Sequence, residues 1–388
     1  MRQIWTKIIA LLCCLATAIP ASAAQPLSDE AGFSLLTCSP GEQVYELFGH
    51  SALRVSDDSL GIDMVFNYGV FSFYTENFIL KFVSGQTDYT IGISRFNDFC
   101  IEYAARGSSV KESRLNLDNT EKQALWEFLN RNLRPENRIY RYNFIFNNCA
   151  TKIRDAGEEC AQGSIAYQEL REEPLTFRQA IRLYTRTAEW SQFGFDICLG
   201  AGTDRPAGTR ELAFLPELMD EAFSSATVAH PSGEKPLVPK HEEIVQAAAV
   251  YKAAKLSPMV VCCCVFAIAL VISFLQIRYK WNPLWFDAVL YGITAIAGFI
   301  ILYLMIFSEH PFTGANFNIL WINPLWLVPL FTDKHCPRFS RIYRMAACGI
   351  IVLTILLSPA IPQSFNTAFF PLMATIALRM GTGIFARH

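Results

Sequence analysis

Charged side chains are scarce in this chain. Asp, Glu, Lys and Arg make up 18% of its 388 residues, and the formal net charge is −2. A chain without a basic excess has no electrostatic means of attracting nucleic acid, so that partner is excluded. The chain also has no internal repeat and no low-complexity segment, which excludes a repeat architecture.

Metal-ligand patterns are also missing. The chain has six histidines and twelve cysteines, but no CxxC pair and no cluster of His and Cys at the spacing of a zinc site. The sequence therefore predicts no metal and no other cofactor.

Apolar residues, in contrast, are abundant. They make up 52% of the chain, with 30 Phe, which is more than an ordinary soluble enzyme carries and indicates membrane segments. At the N-terminus, Arg2 and Lys7 precede an apolar run over residues 8–19, and Ala21-Ser22-Ala23 fits a cleavage site. We predict a signal peptide over residues 1–23, with an uncleaved membrane anchor as the alternative. In both cases the following residues are exported.

The exported part is predicted to be an α+β domain over residues 24–200. Strand patterns occur at 51–55, 64–68, 88–93 and 110–117, and helix patterns at 119–131, where Asn119 or Thr120 would be the N-cap, and at 176–184. Residues 201–256 mix Gly, Pro, Ser and charged residues irregularly, which predicts a partly ordered connector.

The remaining residues, 257–388, are predicted to form a membrane domain. Apolar segments cover residues 258–277, 283–307, 317–331, 345–357 and 368–384. The third and fourth are short, so we expect five spans with a margin of one. Lys and Arg occur in the first and third loops and are absent from the second and fourth. The positive-inside rule therefore leaves the globular domain on the exported side.

The stretch YRYNFIFNNCATKIRD, residues 140–155, is the most informative about chemistry. Its alternating aromatic residues favour an extended segment, and Asn147 and Asn148 offer caps for a helix beginning at Cys149. A cysteine at a helix N-terminus lies in a positive local field that favours its thiolate. Cys149 is therefore a candidate nucleophile, although a plain buried cysteine fits the same pattern.

Cysteine counting supports the same residue. The exported domain contains an odd number of cysteines, which are Cys38, Cys100, Cys149, Cys160 and Cys198. In an oxidising compartment at least one of them stays free unless it pairs with another chain, and Cys149 is the best candidate. The other four could form up to two disulfides, or none.

A thiolate nucleophile needs a general base. His50 follows a glycine turn and starts a short strand, whereas His230 and His241 lie in the predicted connector. Asn67, on the next strand, is a candidate to orient the imidazole. The backbone N–H of Cys149, with Tyr142 or Asn148, could form an oxyanion hole, although helix capping explains Asn148 more simply.

A second polar group lies at a predicted membrane boundary. His310, Asn316 and Asn318 fall within residues 308–326, where polar side chains are costly and are often kept for function. They could bind a lipid headgroup or an acceptor. Capping by Asn316 and interfacial anchoring by Trp321 and Trp326 are the structural alternative.

An early histidine followed by a cysteine at a helix start resembles the circularly permuted NlpC/P60 group, a papain-like fold that includes lecithin:retinol acyltransferase-like enzymes. The segments FGHSALRV, NYGVFSF, FNNCATKIRD and HPFTGANFNILWINPLW resemble the Lnb-type lipoprotein N-acyltransferase family. In that family Cys149 corresponds to the nucleophile and His50 to the histidine of the GH element.

The resemblance implies an acyltransferase in the bacterial inner membrane, with its globular domain on the periplasmic side. Its donor would be a membrane phospholipid, and its acceptor the α-amine of a diacylated lipoprotein. The reaction would be ping-pong through a Cys149 thioester. Two alternatives remain, a membrane-anchored cysteine peptidase or amidase acting on cell-wall peptides, and a non-enzymatic scaffold in which Cys149 is structural.

Overall fold

The computed structural model describes residues 25–230, 233–247 and 255–385. The predicted signal peptide, residues 1–23, lies outside the described residues. The described chain has a sheet-rich α+β part followed by a helical part.

Two antiparallel sheets organise the first part. Their strands are β1 Gly32–Cys38, β2 His50–Asp57, β3 Ile62–Val70, β4 Asp88–Arg95, β5 Val110–Arg114, β6 Ile139–Arg141, β7 Ile165–Ala166, β8 Thr227–His230, β9 Gly233–Pro236 and β10 Lys240–Val245. The large sheet has seven strands in the order β10-β5-β1-β2-β3-β4-β6, and the small sheet has the order β7-β8-β9.

Helices cover both faces of the large sheet. In the first part they are α1 Phe78–Val83, α2 Phe96–Arg106, α3 Asn119–Asn132, α4 Cys149–Cys160, α5 Phe177–Thr185, α6 Glu189–Cys198, α7 Thr209–Leu212 and α8 Pro216–Ser225. All seven residues of β1 are buried. Phe33 and Leu35 point into the core formed with α4 and α8, and Leu36 points to the α2 side. The strand is apolar on both faces because both faces are covered.

Several predicted elements are confirmed. The strands predicted at 51–55, 64–68 and 88–93 lie within β2, β3 and β4. The helices predicted at 119–131 and 176–184 correspond to α3 and α5. The N-cap of α3 is Asp118, not Asn119 or Thr120, because the Asp118 carboxylate accepts the backbone N–H of Glu121 at 2.9 Å. Strand β5 ends at Arg114, earlier than the predicted residue 117.

The segment predicted as a partly ordered connector, residues 201–256, is instead largely folded where it is described. It contains α7, α8 and three strands, and β10 pairs with β5 at the sheet edge. Phe214, Met219 and Phe223 are at most 1% exposed. Burial of these apolar side chains stabilises the segment, and its Gly and Pro residues only separate short helices and strands.

The second part is helical. Its helices are α9 Pro258–Tyr279, α10 Leu284–Phe307, α11 Val328–Thr332, α12 Pro337–Leu356 and α13 Phe369–Phe385. Among the described residues, α9, α10 and α12 are long and apolar enough to cross a membrane, and Phe317–Thr332 and Phe369–Phe385 are shorter apolar segments. The apolar segment predicted at 317–331 is broken into two 3₁₀ turns and α11. Asn323 and Pro324 start the second turn, where the missing proline N–H interrupts a continuous helix.

A buried ion pair joins three of these helices. Arg379 of α13 is 0% exposed and binds Asp287 of α10 at 2.7 Å. Its other guanidinium nitrogens donate to Ser273 and Gln276 of α9 at 2.9 and 2.8 Å. A charge in this environment is tolerated because its hydrogen-bonding groups are paired.

Candidate active site

Cys149 is the first residue of α4, and its position is set by the cap before it. Asn148 Oδ1 accepts the backbone N–H of Thr151 at 2.9 Å, and Thr151 Oγ1 accepts that of Asn148 at 2.8 Å. The Asn148 amide nitrogen also donates to the carbonyls of Phe144 and Phe214. This capping box anchors the helix start, so the side-chain amide of Asn148 is committed to structure.

The aromatic run before Cys149 is only partly a strand. β6 ends at Arg141, and the chain then turns. Asn143 Oδ1 accepts the backbone N–H groups of Ile145 and Phe146 at 3.1 and 3.0 Å. The predicted extended segment therefore ends in an asparagine-stabilised turn, which directs the chain into the helix.

His50 is the first residue of β2. It follows Gly49, whose φ is +73° and where a Cβ would lie 2.4 Å from the Cys38 carbonyl oxygen, so only glycine fits. His50 Nε2 lies 3.2 Å from Asn67 Oδ1 on the neighbouring β3. Asn67 Nδ2 in turn lies 3.4 Å from Ser94 Oγ. An amide oxygen can only accept, so Asn67 selects the tautomer with a proton on Nε2 and leaves Nδ1 for another partner.

That partner is Cys149. Strands β2 and β3 stop pairing beyond Leu53–Phe66, and β3 is irregular between Asn67 and Val70. The start of α4 packs against β2 and β3 at this divergence, where a Cβ on Gly69 would lie 3.7 Å from the Cys149 Cβ. The Cys149 thiol and the His50 ring lie close enough for each to shift the pKa of the other.

The electrostatics of the pair favour charge separation. Burial opposes ionisation of Cys149, but the charge of His50, its hydrogen bond, and the backbone N–H groups of Ser51 and Ala150 together lower the pKa of the thiol. Burial would lower the pKa of His50, yet the Cys149 charge and the hydrogen bonds to Cys149 and Asn67 raise it. Both shifts favour a thiolate beside an imidazolium, which is the reactive form of a cysteine nucleophile.

Aromatic rings surround the pair. Tyr142 stacks on Tyr89 with centroids 4.1 Å apart, and Tyr103 stacks on His50 at 6.4 Å. Burial first, and then the charge of Cys149, raise the pKa of Tyr142. Its hydroxyl therefore stays protonated and remains able to donate, as the predicted oxyanion role requires. The backbone N–H of Cys149 belongs to the first helical turn, whose N–H groups have no intrahelical acceptor.

Several neighbours were not predicted from the sequence. The backbone N–H of Ser51, the hydroxyl of Tyr103 and the buried thiol of Cys38 all belong to this site. Cys38 is the strand partner of His50 in the β1–β2 pair, which the register alone reveals. Burial raises the pKa of Cys38, and its hydrogen bond with Tyr103 opposes that shift. The five exported cysteines, including Cys38, are free thiols in the described structure.

The polar group predicted at the membrane boundary lies in a docking contact. Asn316 and Asn318 are 2% and 0% exposed, and their amides donate to backbone carbonyls at the end of α6. His310 donates from Nε2 to the Phe82 carbonyl at 2.6 Å. The structure therefore uses all three to hold the exported part against the helical part, and does not bring them to Cys149.

The low pKa of Cys149 leads to a first prediction. We expect iodoacetamide to modify Cys149 at neutral pH and to spare Cys160, where burial and then the charge of Glu159 raise the pKa to about 11. Only the thiolate reacts, so modification of Cys149 should persist as pH falls until it passes the lowered pKa. The substitution His50→Ala should shift that dependence to higher pH.

Mass spectrometry of digested peptides, with the label applied over roughly pH 5 to 9, measures both rates in one sample. Equal modification of Cys149 and Cys160 across that range would contradict an activated thiol.

The comparison with known protein families gives two matches. Residues 24–183 match the model of the Lnb N-terminal periplasmic domain, and residues 251–388 match that of the Lnb transmembrane domain. No curated protein and no solved structure matches the chain.

Proposed function

The chain belongs to the Lnb family, and on this basis we propose that it is a lipoprotein N-acyltransferase. The two matches confirm the resemblance noted in its motifs. They support a membrane protein that carries a periplasmic domain. The proposal adds the reaction, the residues that perform it and the bacterial inner membrane as its location.

In the proposed first half-reaction, Nδ1 of His50 takes the Cys149 proton. The thiolate attacks an ester carbonyl of a membrane phospholipid, and the tetrahedral oxyanion is held by the Cys149 N–H and the Tyr142 hydroxyl. The C–O bond breaks, His50 returns the proton to the leaving oxygen, and a lysophospholipid departs. The acyl chain remains on Cys149 as a thioester.

In the second half-reaction, the free α-amine of a diacylglyceryl-modified cysteine attacks the thioester. His50 accepts the amine proton, the C–S bond breaks, and the Cys149 thiolate is restored beside an imidazolium. The lipoprotein acquires an amide-linked acyl chain. Water has to be kept from the thioester, because hydrolysis would waste the acyl group.

The observation that carries the proposal is the array of Cys149, His50 and Asn67. A helix-start thiol that faces a histidine held by an asparagine is the arrangement of papain-like cysteine enzymes. We therefore propose a permuted papain-like fold for the periplasmic domain. A lipid donor also explains why such a domain is attached to a membrane domain. For that membrane domain we propose five spans, which are the three long helices and the two shorter apolar segments.

The same array could hydrolyse cell-wall peptides, so the test has to separate the two products. We would analyse a lipoprotein's N-terminal peptide by mass spectrometry, from cells whose only N-acyltransferase is this protein. One additional amide-linked acyl chain, absent without the protein, is the expected result. A free α-amine together with altered muropeptides would overturn the proposal in favour of the hydrolase.

Asn67 provides a second prediction. Asn67→Ala removes the acceptor that orients His50, so we expect the rate of acyl transfer to fall by roughly 10- to 100-fold while the thiol stays titratable. Because Asn67 acts through His50, the pH profile should also move, since its hydrogen bond helps to raise the His50 pKa. The variant loses that contribution, so the imidazolium should lose its proton at lower pH.

Asn67→Gln is the matched variant, because it keeps the amide but displaces it by one methylene. The rate of acyl transfer, measured against pH in both variants, distinguishes a role of Asn67 in positioning His50 from a role in folding. An unchanged profile in Asn67→Ala would assign Asn67 a purely structural role.

A further inference from the structure

Between β3 and β4 the chain forms an apolar surface, residues 71–83, which we call the lip. Five of the six residues of α1 within it are apolar. The exposed fractions are 60% for Phe73, 99% for Tyr74, 77% for Ile79, 59% for Leu80 and 45% for Phe82. Apolar side chains concentrated in this way on a folded surface mark an interaction site.

Hydrogen bonds join the residue after the lip to the membrane helix α10 and the loop that follows it. Ser84, which directly follows the lip, is hydrogen-bonded through its hydroxyl to the Tyr303 hydroxyl at 2.7 Å, and its carbonyl accepts the N–H of Glu309 at 2.8 Å. Tyr303 lies four residues before the end of α10 at Phe307. At a rise of 1.5 Å per residue, it lies about 6 Å inside the helix end. The lip is therefore level with the last turn of a helix long enough to span the membrane.

Ile306 and Phe307 follow Tyr303 by three and four residues, so they lie on the same side of α10 as the contact with Ser84. Ile306 and Phe307, at the end of α10, are 67% and 64% exposed, as expected of residues that face lipid. Lys81 is the single charged residue of α1 and is exposed, which suits a side chain that reaches lipid headgroups from an apolar helix. Gly85 allows the chain after the lip to lie close to the loop after α10, since a Cβ there would lie 2.8 Å from the backbone nitrogen of His310.

Aromatic rings connect the lip with the candidate active site. Phe71 stacks on Phe78 at 5.7 Å and on Tyr89 at 4.9 Å. Tyr89 stacks on Tyr142 at 4.1 Å, and burial and then the nearby charge of Cys149 raise the pKa of Tyr142. This row of rings forms a continuous apolar contact that leads from the lip to the residues around the nucleophile.

We propose that the lip inserts into the periplasmic leaflet of the bilayer, and that the aromatic row guides a lipid acyl chain from there to Cys149. The partner of this surface is the acyl region of phospholipids. Insertion is independent of the reaction catalysed, whereas guidance rests on the proposed acyl transfer. A lipoprotein or a second copy of the chain on the lip would be a different partner.

The first test is photo-crosslinking of the full chain in phospholipid nanodiscs. A benzophenone amino acid replaces Tyr74, or Ser59 as the control, in a Cys149→Ser background without turnover. Ser59 lies in the β2–β3 turn, at the far end of an eight-residue strand from His50, which is a separation of about 25 Å. Mass spectrometry of the crosslinked peptides identifies the partner.

We expect phospholipid adducts at position 74 and none at position 59. Absence of lipid adducts at position 74, or adducts only with protein, would overturn insertion. This result does not depend on whether the chain is an acyltransferase, so it separates the lip from the proposed function.

Guidance is tested with Ile79→Asp, and with Ile101→Asp as a control, since Ile101 is 59% exposed on α2. The lip has one carboxylate of its own, Glu76, which precedes α1. A second carboxylate, within the apolar helix, would be costly in the bilayer, so transfer should fall by about tenfold in the first variant and stay unchanged in the second. Iodoacetamide labelling of Cys149 should be equal in both, which shows that the thiol is intact. Unchanged transfer in Ile79→Asp, from a protein that crosslinks to lipid, would overturn guidance and leave insertion standing.

Discussion

Cys149→Ser is expected to abolish the proposed lipoprotein N-acylation, with a fall in rate of about 10⁴-fold or more. A serine fits the same space, so the capped start of α4 should be retained. A hydroxyl, however, is far harder to ionise than a thiol, and the surroundings of Cys149 favour a thiolate through His50 and the N–H groups of Ser51 and Ala150. The measurement is the mass of the lipoprotein N-terminal peptide, together with the search for an S-acyl enzyme.

Cys160→Ser is the matched control because it changes the other end of the same helix, about 16 Å along its axis. It should transfer acyl chains at the wild-type rate. If Cys149→Ser kept substantial activity, or if Cys160→Ser lost it, the nucleophile would have been assigned to the wrong residue.

Asp196→Ala is expected to have the largest effect on stability. Asp196 is 3% exposed and accepts hydrogen bonds from Arg178 at 2.9 Å, Arg182 at 3.1 Å and Asn366 at 2.9 Å. Its removal leaves Arg178, itself 1% exposed, with less compensating charge. Breaking a buried ion pair costs about 3–5 kcal/mol. At about 2–4 °C per kcal/mol, the thermal midpoint should fall by roughly 10 °C.

Thermal unfolding of the detergent-solubilised full chain, followed by tryptophan fluorescence, measures this change. Glu242→Ala removes one partner of the ion pair between Lys240 and Glu242, whose side chains are 73% and 63% exposed. That control should alter the midpoint by little, because an exposed pair contributes about 0–1 kcal/mol. Similar midpoints for Asp196→Ala and Glu242→Ala would show that the cluster around Asp196 does not hold the two parts together.

The same cluster explains why the polar residues near the membrane boundary were difficult to interpret. Asn316 and Asn318 donate to the backbone at Asp196, Ile197 and Cys198, and Asn366 donates to the Asp196 side chain. Their hydrogen-bond partners lie more than 100 residues away along the chain, in a segment that the sequence assigned to the exported domain. A polar residue near a membrane has the same sequence pattern whether it binds a ligand or another part of its own chain.

Features set by short-range physics could be predicted from the sequence. The capped helix that begins at Cys149 depends on residues within one turn, and the apolar segments of the membrane part depend on composition alone. The strands β2, β3 and β4 were predicted because their side chains alternate over a few residues. The family motifs were equally local, and the two family matches agree with them.

Only the tertiary structure decided how these elements meet. The pairing of His50 with Asn67 depends on the β2–β3 register, and the Ser51 N–H reaches the Cys149 sulfur because β3 leaves β2 at that point. Residues 201–230 looked irregular because their apolar side chains fill a core built by distant elements. The lip lies beside α10 because Ser84, the residue after it, is hydrogen-bonded to Tyr303, more than 200 residues away along the chain. Such contacts depend on packing between distant segments, which no local pattern in the chain records.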